Sequence, residues 1–238
     1  MKDGTRHGDL TCARAVGGRP RRSFDIHLVL RRLRRLAPTW RAPVVGFVAL
    51  QTGDPFRVLI SCMLSLRTKD ETTAPAARRL FALADTPQGL ADLDVRDIER
   101  AIYPVGFYRT KARRLVDLSR TLLQAHGGRV PDTLAGLLAL KGVGRKTANL
   151  VLAQGFGQPA ICVDTHVHRI SNRWGYVRTG TPHATEAALR RKLPSQYWIA
   201  YNDLLVAFGQ TICQPVSPWC SRCPVHEFCP RRGVGRRR

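Results

Sequence analysis

Apolar positions recur every three or four residues along most of this chain, the spacing of helices that bury one face. The run at 24–38, FDIHLVLRRLRRLAP, shows that period and stops at Pro38. The run at 55–68, PFRVLISCMLSLRT, opens on a proline and is strongly apolar, which predicts a buried helix. Three further stretches, at 72–84, 86–106 and 108–128, repeat the three- and four-residue spacing, and the last closes on Gly127-Gly128, a helix stop. Two short helices at 132–140 and 146–155 flank a tight LKGVGR turn. DTHVHRISNRWG at 164–175 reads as a helix capped by Asp164, and residues 184–193 and 196–211 complete the set. There is no series of alternating strands and no internal repeat. The predicted fold class is all-α. Residues 1–22 are rich in Gly and Arg without periodicity, and read as a flexible basic N-terminal arm.

Composition adds a direction. The 238 residues suffice for one large or two small domains, and 44% hydrophobic content supports a real core. No apolar run reaches the roughly 18 residues of a membrane span, and the basic N-terminus lacks the apolar stretch of a secretory signal. The expectation is a protein that stays inside the cell, off the membrane. Lys and Arg total 39 against 17 Asp and Glu, a net charge of +22. Such an excess repels itself unless an anionic partner is near, and nucleic acid is the commonest such partner. Only six of the 39 are Lys, a skew that a coding bias toward Arg also produces. The charge therefore points to nucleic acid without naming a reaction.

Three local patterns carry chemistry. The first is the turn Leu140-Lys141-Gly142-Val143-Gly144-Arg145-Lys146. Two glycines at this spacing allow positive φ and close backbone approach, and the N–H groups opening the next helix suit a phosphate. An ordinary connection between helices is the plainer alternative; the longer pattern resembles a helix–hairpin–helix DNA-binding element. Lys146, in the first turn of the next helix, is either a phosphate contact or an amine nucleophile. The helix dipole and partial burial both disfavour its ammonium form. The second pattern is Val163-Asp164-Thr165-His166, where Asp164 is by default an N-cap. His166 and His168 stand two apart on one helix, point to different faces and read as structural. The third is Cys213, Cys220, Cys223 and Cys229, spaced C-x6-C-x2-C-x5-C. Four thiolates in so short a loop enclose one metal centre, zinc or iron–sulfur, the spacing alone leaving both open. Cys62 and Cys162 lie in apolar surroundings and read as packing residues, whereas Cys12 has no evident role.

Taken together, LISCMLSLRTKD, YPVGFYRTKA, LKGVGRKTANLVLAQGFG, ICVDTHVHRISNR and the cysteine loop resemble, in order, the endonuclease III branch of the helix–hairpin–helix glycosylases, from about 55 to 230. The resemblance implies two helical domains flanking a DNA-binding cleft. One, at 48–158, is barrel-like and carries the hairpin; the other, at 23–47 and 159–238, holds a [4Fe–4S] cluster on the four cysteines. It implies a monomeric bifunctional glycosylase and abasic-site lyase acting on double-stranded DNA that carries an oxidised pyrimidine, such as thymine glycol, or an abasic site. Lys146 would attack C1′ of the flipped nucleotide, and Asp164 would face it across the cleft. Lys141, Gly142, Val143, Gly144 and Arg145 would meet the DNA. Arg67 and Phe107, on two loops, would fill the gap left by the extruded base, although each could instead be an ordinary surface or core residue. The chain departs from the family at Arg67, usually Gln, and at Lys141, usually Pro. The loop from Gln214 to Trp219 also lacks the basic residue relatives often place there, for which Arg222 would compensate.

Overall fold

Short polar side chains start most of the helices. Asp25, Asp54, Thr86, Asp94, Thr133, Asp164 and Thr181 each accept a backbone N–H in the first turn that follows them, as expected for residues that satisfy orphan donors. A computed structural model describes residues 24–40 and 53–238. Among these there are helices and short 3₁₀ turns and no strand, so the chain is all-α. The proposed arm at 1–22 and Cys12 lie outside the described residues. The helices are α1 (Ile26–Leu36), α2 (Pro55–Ser65), α3 (Asp70–Leu83), α4 (Pro87–Asp92), α5 (Val95–Ile102), α6 (Tyr108–His126), α7 (Leu134–Ala139), α8 (Arg145–Gly155), α9 (Thr165–Arg173), α10 (Pro182–Lys192) and α11 (Trp198–Thr211).

The stretch at 86–106 reads as one helix in the sequence but forms two. Leu93 turns extended and Asp94 caps α5 through Arg96 N–H at 2.7 Å. A capping aspartate competes with helix continuation. At the other end, α6 stops at Gly127, whose φ of 57° only glycine adopts cheaply, and Gly128 N–H closes on Leu122 O at 2.9 Å.

Two apolar clusters organise the described residues. The first gathers α2 to α8. Buried residues surround α2 on nearly all sides, and it packs on α3 and α8. Gly155 at the end of α8 permits that crossing, since a Cβ there would stand 3.0 Å from Pro55 Cα. The second cluster joins α1, α9, α10 and α11 to the cysteine loop through Val225 and Phe228. Between α8 and α9 the chain runs extended, and its side chains alternate. Ala160 and Cys162 enter the first cluster while Ile161 and Val163 enter the second. A period of two is what extended backbone imposes, so four residues stitch both cores together. Cys62 and Cys162 are packing residues, as their neighbours suggest, 2% and 1% exposed.

Candidate active site

The seam between the clusters opens into a cleft of about 900 Å³. One wall comes from the end of α2, the start of α3 and α8. The other comes from Val163 to His166 and from α11. Lys146 and Asp164 both line it. Lys146 sits one residue into α8, directly after the hairpin, and Asp164 caps α9 by accepting Val167 N–H at 2.8 Å. Lys146 is exposed. The partial burial expected from the sequence is therefore absent, because α8 presents its first turn to the cleft rather than to a core.

The hairpin supplies the rest of that turn. Gly142 has φ of 88°, whereas Gly144 at −92° needs no glycine for its backbone. No side chain caps α8, so its first N–H groups are not spent on a capping oxygen. Lys141 is exposed, but Val143 is 6% exposed and belongs to the first core, so it offers DNA only its backbone. Arg145 differs from expectation as well. Its Nε and Nη2 donate to Glu186 at 2.7 and 3.0 Å, and Arg190 Nε donates to the same carboxylate at 3.0 Å. Glu186 is 4% exposed. Burial pushes its pKa up, but the hydrogen bonds from Arg145 and Arg190 outweigh this and hold it below the usual carboxylate range. The Arg145 guanidinium thus braces α8 against α10, and its own pKa rises through the Glu186 hydrogen bond.

Arg67 and Phe107 come together. Both are exposed, Phe107 by 60%, and both adopt left-handed backbone, at φ of 56° and 60°. The Arg67 guanidinium lies 4.8 Å from the Phe107 ring centroid, a cation–π contact. Their loops touch, for a Cβ on Gly106 would meet Arg67 O at 2.9 Å. Phe107 does not pack inward.

The sequence reading missed Asp203 in the cleft and read His166, which also lines it, as structural. Asp203, partly buried on α11, accepts Gln154 Nε2 at 2.9 Å. Burial raises its carboxyl to about 6, with Asp164 and Asp70 adding to the rise and the Gln154 bond opposing it. The signal was Asn202-Asp203, a polar pair inside the apolar run at 196–211. His166 lines the cleft too. Its Nδ1 accepts from Arg169 at 3.0 Å, and burial lowers its pKa. Gly209 makes room for it, since a Cβ there would fall 2.3 Å from His166 Nδ1. His168 is structural as expected, bonded to Thr185 Oγ1 at 2.6 Å.

Far along the second cluster, Cys213, Cys220, Cys223 and Cys229 line one small cavity with Arg173, Phe208 and Trp219, and none forms a disulfide. Burial pushes the Cys223 thiol up to about 12 and Cys229 up to about 11. Bare thiolates there are unfavourable, and a cationic centre reverses that balance. Arg231 N–H approaches Cys229 Sγ at 3.3 Å and Arg173 Nη1 approaches Cys213 Sγ at 3.5 Å, the donor set that supports coordinated sulfur. Among the described residues, no three His, Cys, Asp or Glu side chains stand close enough to hold a single metal ion. In the loop without a basic residue, Trp219 carries Arg222 and Arg238 at 4.7 and 4.0 Å from its ring.

Among the described residues, an all-helical fold sets a glycine hairpin beside a cleft that carries an amine and a carboxylate, the arrangement of a helix–hairpin–helix protein. Residues 60–195 match the HhH-GPD superfamily of base excision DNA repair proteins. The chain is 52% identical to endonuclease III of Thermotoga maritima over 185 residues, 76% of this chain and 87% of that one. It also resembles a non-covalent endonuclease III–DNA complex (TM-score 0.77) and a trapped endonuclease III–DNA covalent intermediate (TM-score 0.76). Each is 33% identical, and each match covers 87% of this chain and 94% of the other. The chain belongs to the endonuclease III family.

Proposed function

We propose that this protein is a bifunctional DNA glycosylase and abasic-site lyase, in which Lys146 is the nucleophile and Asp164 its electrostatic partner. The observation that carries the reading is that Lys146, one residue past the hairpin, and Asp164, at the start of α9, line the same cleft. The substrate is an oxidised pyrimidine such as thymine glycol, or an abasic site, in double-stranded DNA. A base in a duplex is out of reach and must be extruded, at a cost of roughly a few kcal/mol. Arg67 and Phe107 fill the gap, and the Arg67 fork donates to the orphaned base. Backbone N–H groups at Gly142 and from Gly144 to Lys146, with Lys141 beside them, hold phosphate, while Val143 N–H closes the hairpin on Leu140 O at 3.0 Å.

In the chemical step, the neutral Lys146 amine adds to C1′ and the C1′–N bond breaks. The base departs with its electron pair and takes up a proton. Asp164 stabilises the positive charge that develops on the sugar. Opening of the C1′–O4′ bond gives an iminium on Lys146, which acidifies the C2′ proton. Loss of that proton expels the 3′ phosphate by β-elimination, and water then hydrolyses the imine to free Lys146. The incoming nucleotide also covers Lys146, supplying the burial that the free protein lacks.

Cys213, Cys220, Cys223 and Cys229, which line one cavity, would hold a [4Fe–4S] cluster. Arg231 N–H and Arg173 Nη1 approach Cys229 and Cys213 sulfur at 3.3 and 3.5 Å, donors of the kind that support coordinated sulfur. Bound there, the cluster would supply a structural cross-link between the four cysteines of the C-terminal loop. Borohydride reduction during turnover on abasic duplex DNA tests the whole reading. The wild type yields a covalent protein–DNA adduct and Lys146→Gln yields none; a wild type without an adduct refutes the lyase.

A further inference from the structure

Lys111 is the buried cation that the mechanism above does not use. It stands in the first turn of α6, where the helix dipole opposes a positive charge, and it is 7% exposed. Its ammonium donates to Leu64 O and Leu66 O, each at 2.6 Å, and to Thr68 Oγ1 at 3.2 Å. All three partners are oxygen dipoles, none a carboxylate. Two of them are carbonyls at the C-terminal end of α2, which attract a cation. Thr68 Oγ1 in turn accepts Gly106 N–H at 3.1 Å. Lys111 and Thr68 thus bridge the loop that bears Arg67 to the loop that bears Phe107, and both of those residues keep left-handed backbone that a non-glycine chain adopts only when its surroundings hold it.

We propose that Lys111 is a positioning residue that locks Arg67 and Phe107 into one two-pronged wedge, and that its charge serves nucleotide extrusion rather than the reaction at C1′. The proposal rests on the gap-filling roles given above to Arg67 and Phe107. Lys111 does not itself line the cleft that carries Lys146 and Asp164, and meets it only through Thr68. Without its ammonium, the Leu64 and Leu66 carbonyls lose their shared donor, the loop from Leu66 to Lys69 loosens, and Arg67 no longer lies against the Phe107 ring. Burial pulls the Lys111 pKa down to about 8, and the three oxygen dipoles are the partners its ammonium has there.

The test separates extrusion from chemistry. A duplex with 2-aminopurine opposite a non-cleavable tetrahydrofuran abasic site brightens when a wedge opens the stack. Binding of the wild type brightens it; Lys111→Met weakens the response by about tenfold at equal protein. Borohydride trapping on a single-stranded abasic oligonucleotide, which needs no extrusion, falls less than about twofold in the same variant. Should Lys111→Met not fold, Thr68→Val and Thr68→Ser carry the test: Val loses the brightening and Ser, which keeps the bridging oxygen, restores it. Brightening that survives Lys111→Met or Thr68→Val refutes the proposal alone, as does equal loss on single-stranded and duplex substrates. A wild type that never brightens the duplex refutes the gap-filling roles and this proposal with them.

Discussion

Replacing Asp203 by Asn should stabilise the protein at neutral pH and leave it unchanged in acid. Asp203 is partly buried on α11, and its carboxyl titrates at about 6 rather than 3.8 because burial, and then Asp164 and Asp70, oppose its charge. The folded protein therefore holds this proton more tightly than the unfolded chain. Stability from that preference is fully present below pH 3.8 and is lost as pH rises through about 6. At about 1.4 kcal/mol per pH unit, the gap between 3.8 and about 6 corresponds to roughly 3 kcal/mol. Cleft water still reaches part of the carboxyl, so roughly 2 kcal/mol is the expected gain. Asn keeps the acceptor for Gln154 Nε2, now 2.9 Å away, and removes only the charge. Urea unfolding at about pH 7.5 should show the variant roughly 2 kcal/mol more stable, with an unchanged m-value and Tm higher by about 4–8 °C. At about pH 4 the two proteins should coincide. A variant less stable at neutral pH, or equally stabilised at both, would mean that Asp203 is not held against its charge, and the burial argument would fail.

Other changes probe the neighbouring supports. Glu186→Ala strands the Arg145 and Arg190 guanidinium groups that clamp α8 to α10, and should cost roughly 1–3 kcal/mol by denaturant titration. Because its pKa is held below the usual range, the wild-type advantage should shrink as pH falls through the carboxylate region, and an advantage that persists in strong acid contradicts the clamp. Gly209→Ala places a Cβ where the His166 ring sits, so the ring must swing within the cleft; turnover on abasic duplex should drop by about tenfold, with a modest loss of stability. Unaltered kinetics would show that the ring's place is immaterial. Cys223→Ser should lower iron and acid-labile sulfide together and loosen the C-terminal loop to protease. One zinc and no iron in the wild type would overturn the cluster.

Much of this protein was written in its local sequence. Periodic apolar spacing announced helices over nearly every described stretch that forms one, and the capping residue Asp164 marked where α9 begins, because N–H groups at a helix start need an oxygen within a few residues. The hairpin pattern placed Lys146 at the head of α8, and the cysteine spacing gathered four thiols into one loop, both short-range features. Local pattern also erred where one residue tipped the balance, as at Asp94, which divides 86–106 into two helices. What the sequence could not display was long-range encounter. That Arg145 spends its guanidinium on Glu186, that Asp203 and His166 turn into the cleft, and that Lys111 props two loops joined by a hydrogen bond across 38 residues follow only once the helices pack. Burial decides which charges must find partners, and burial belongs to the assembled cores rather than to any stretch of chain.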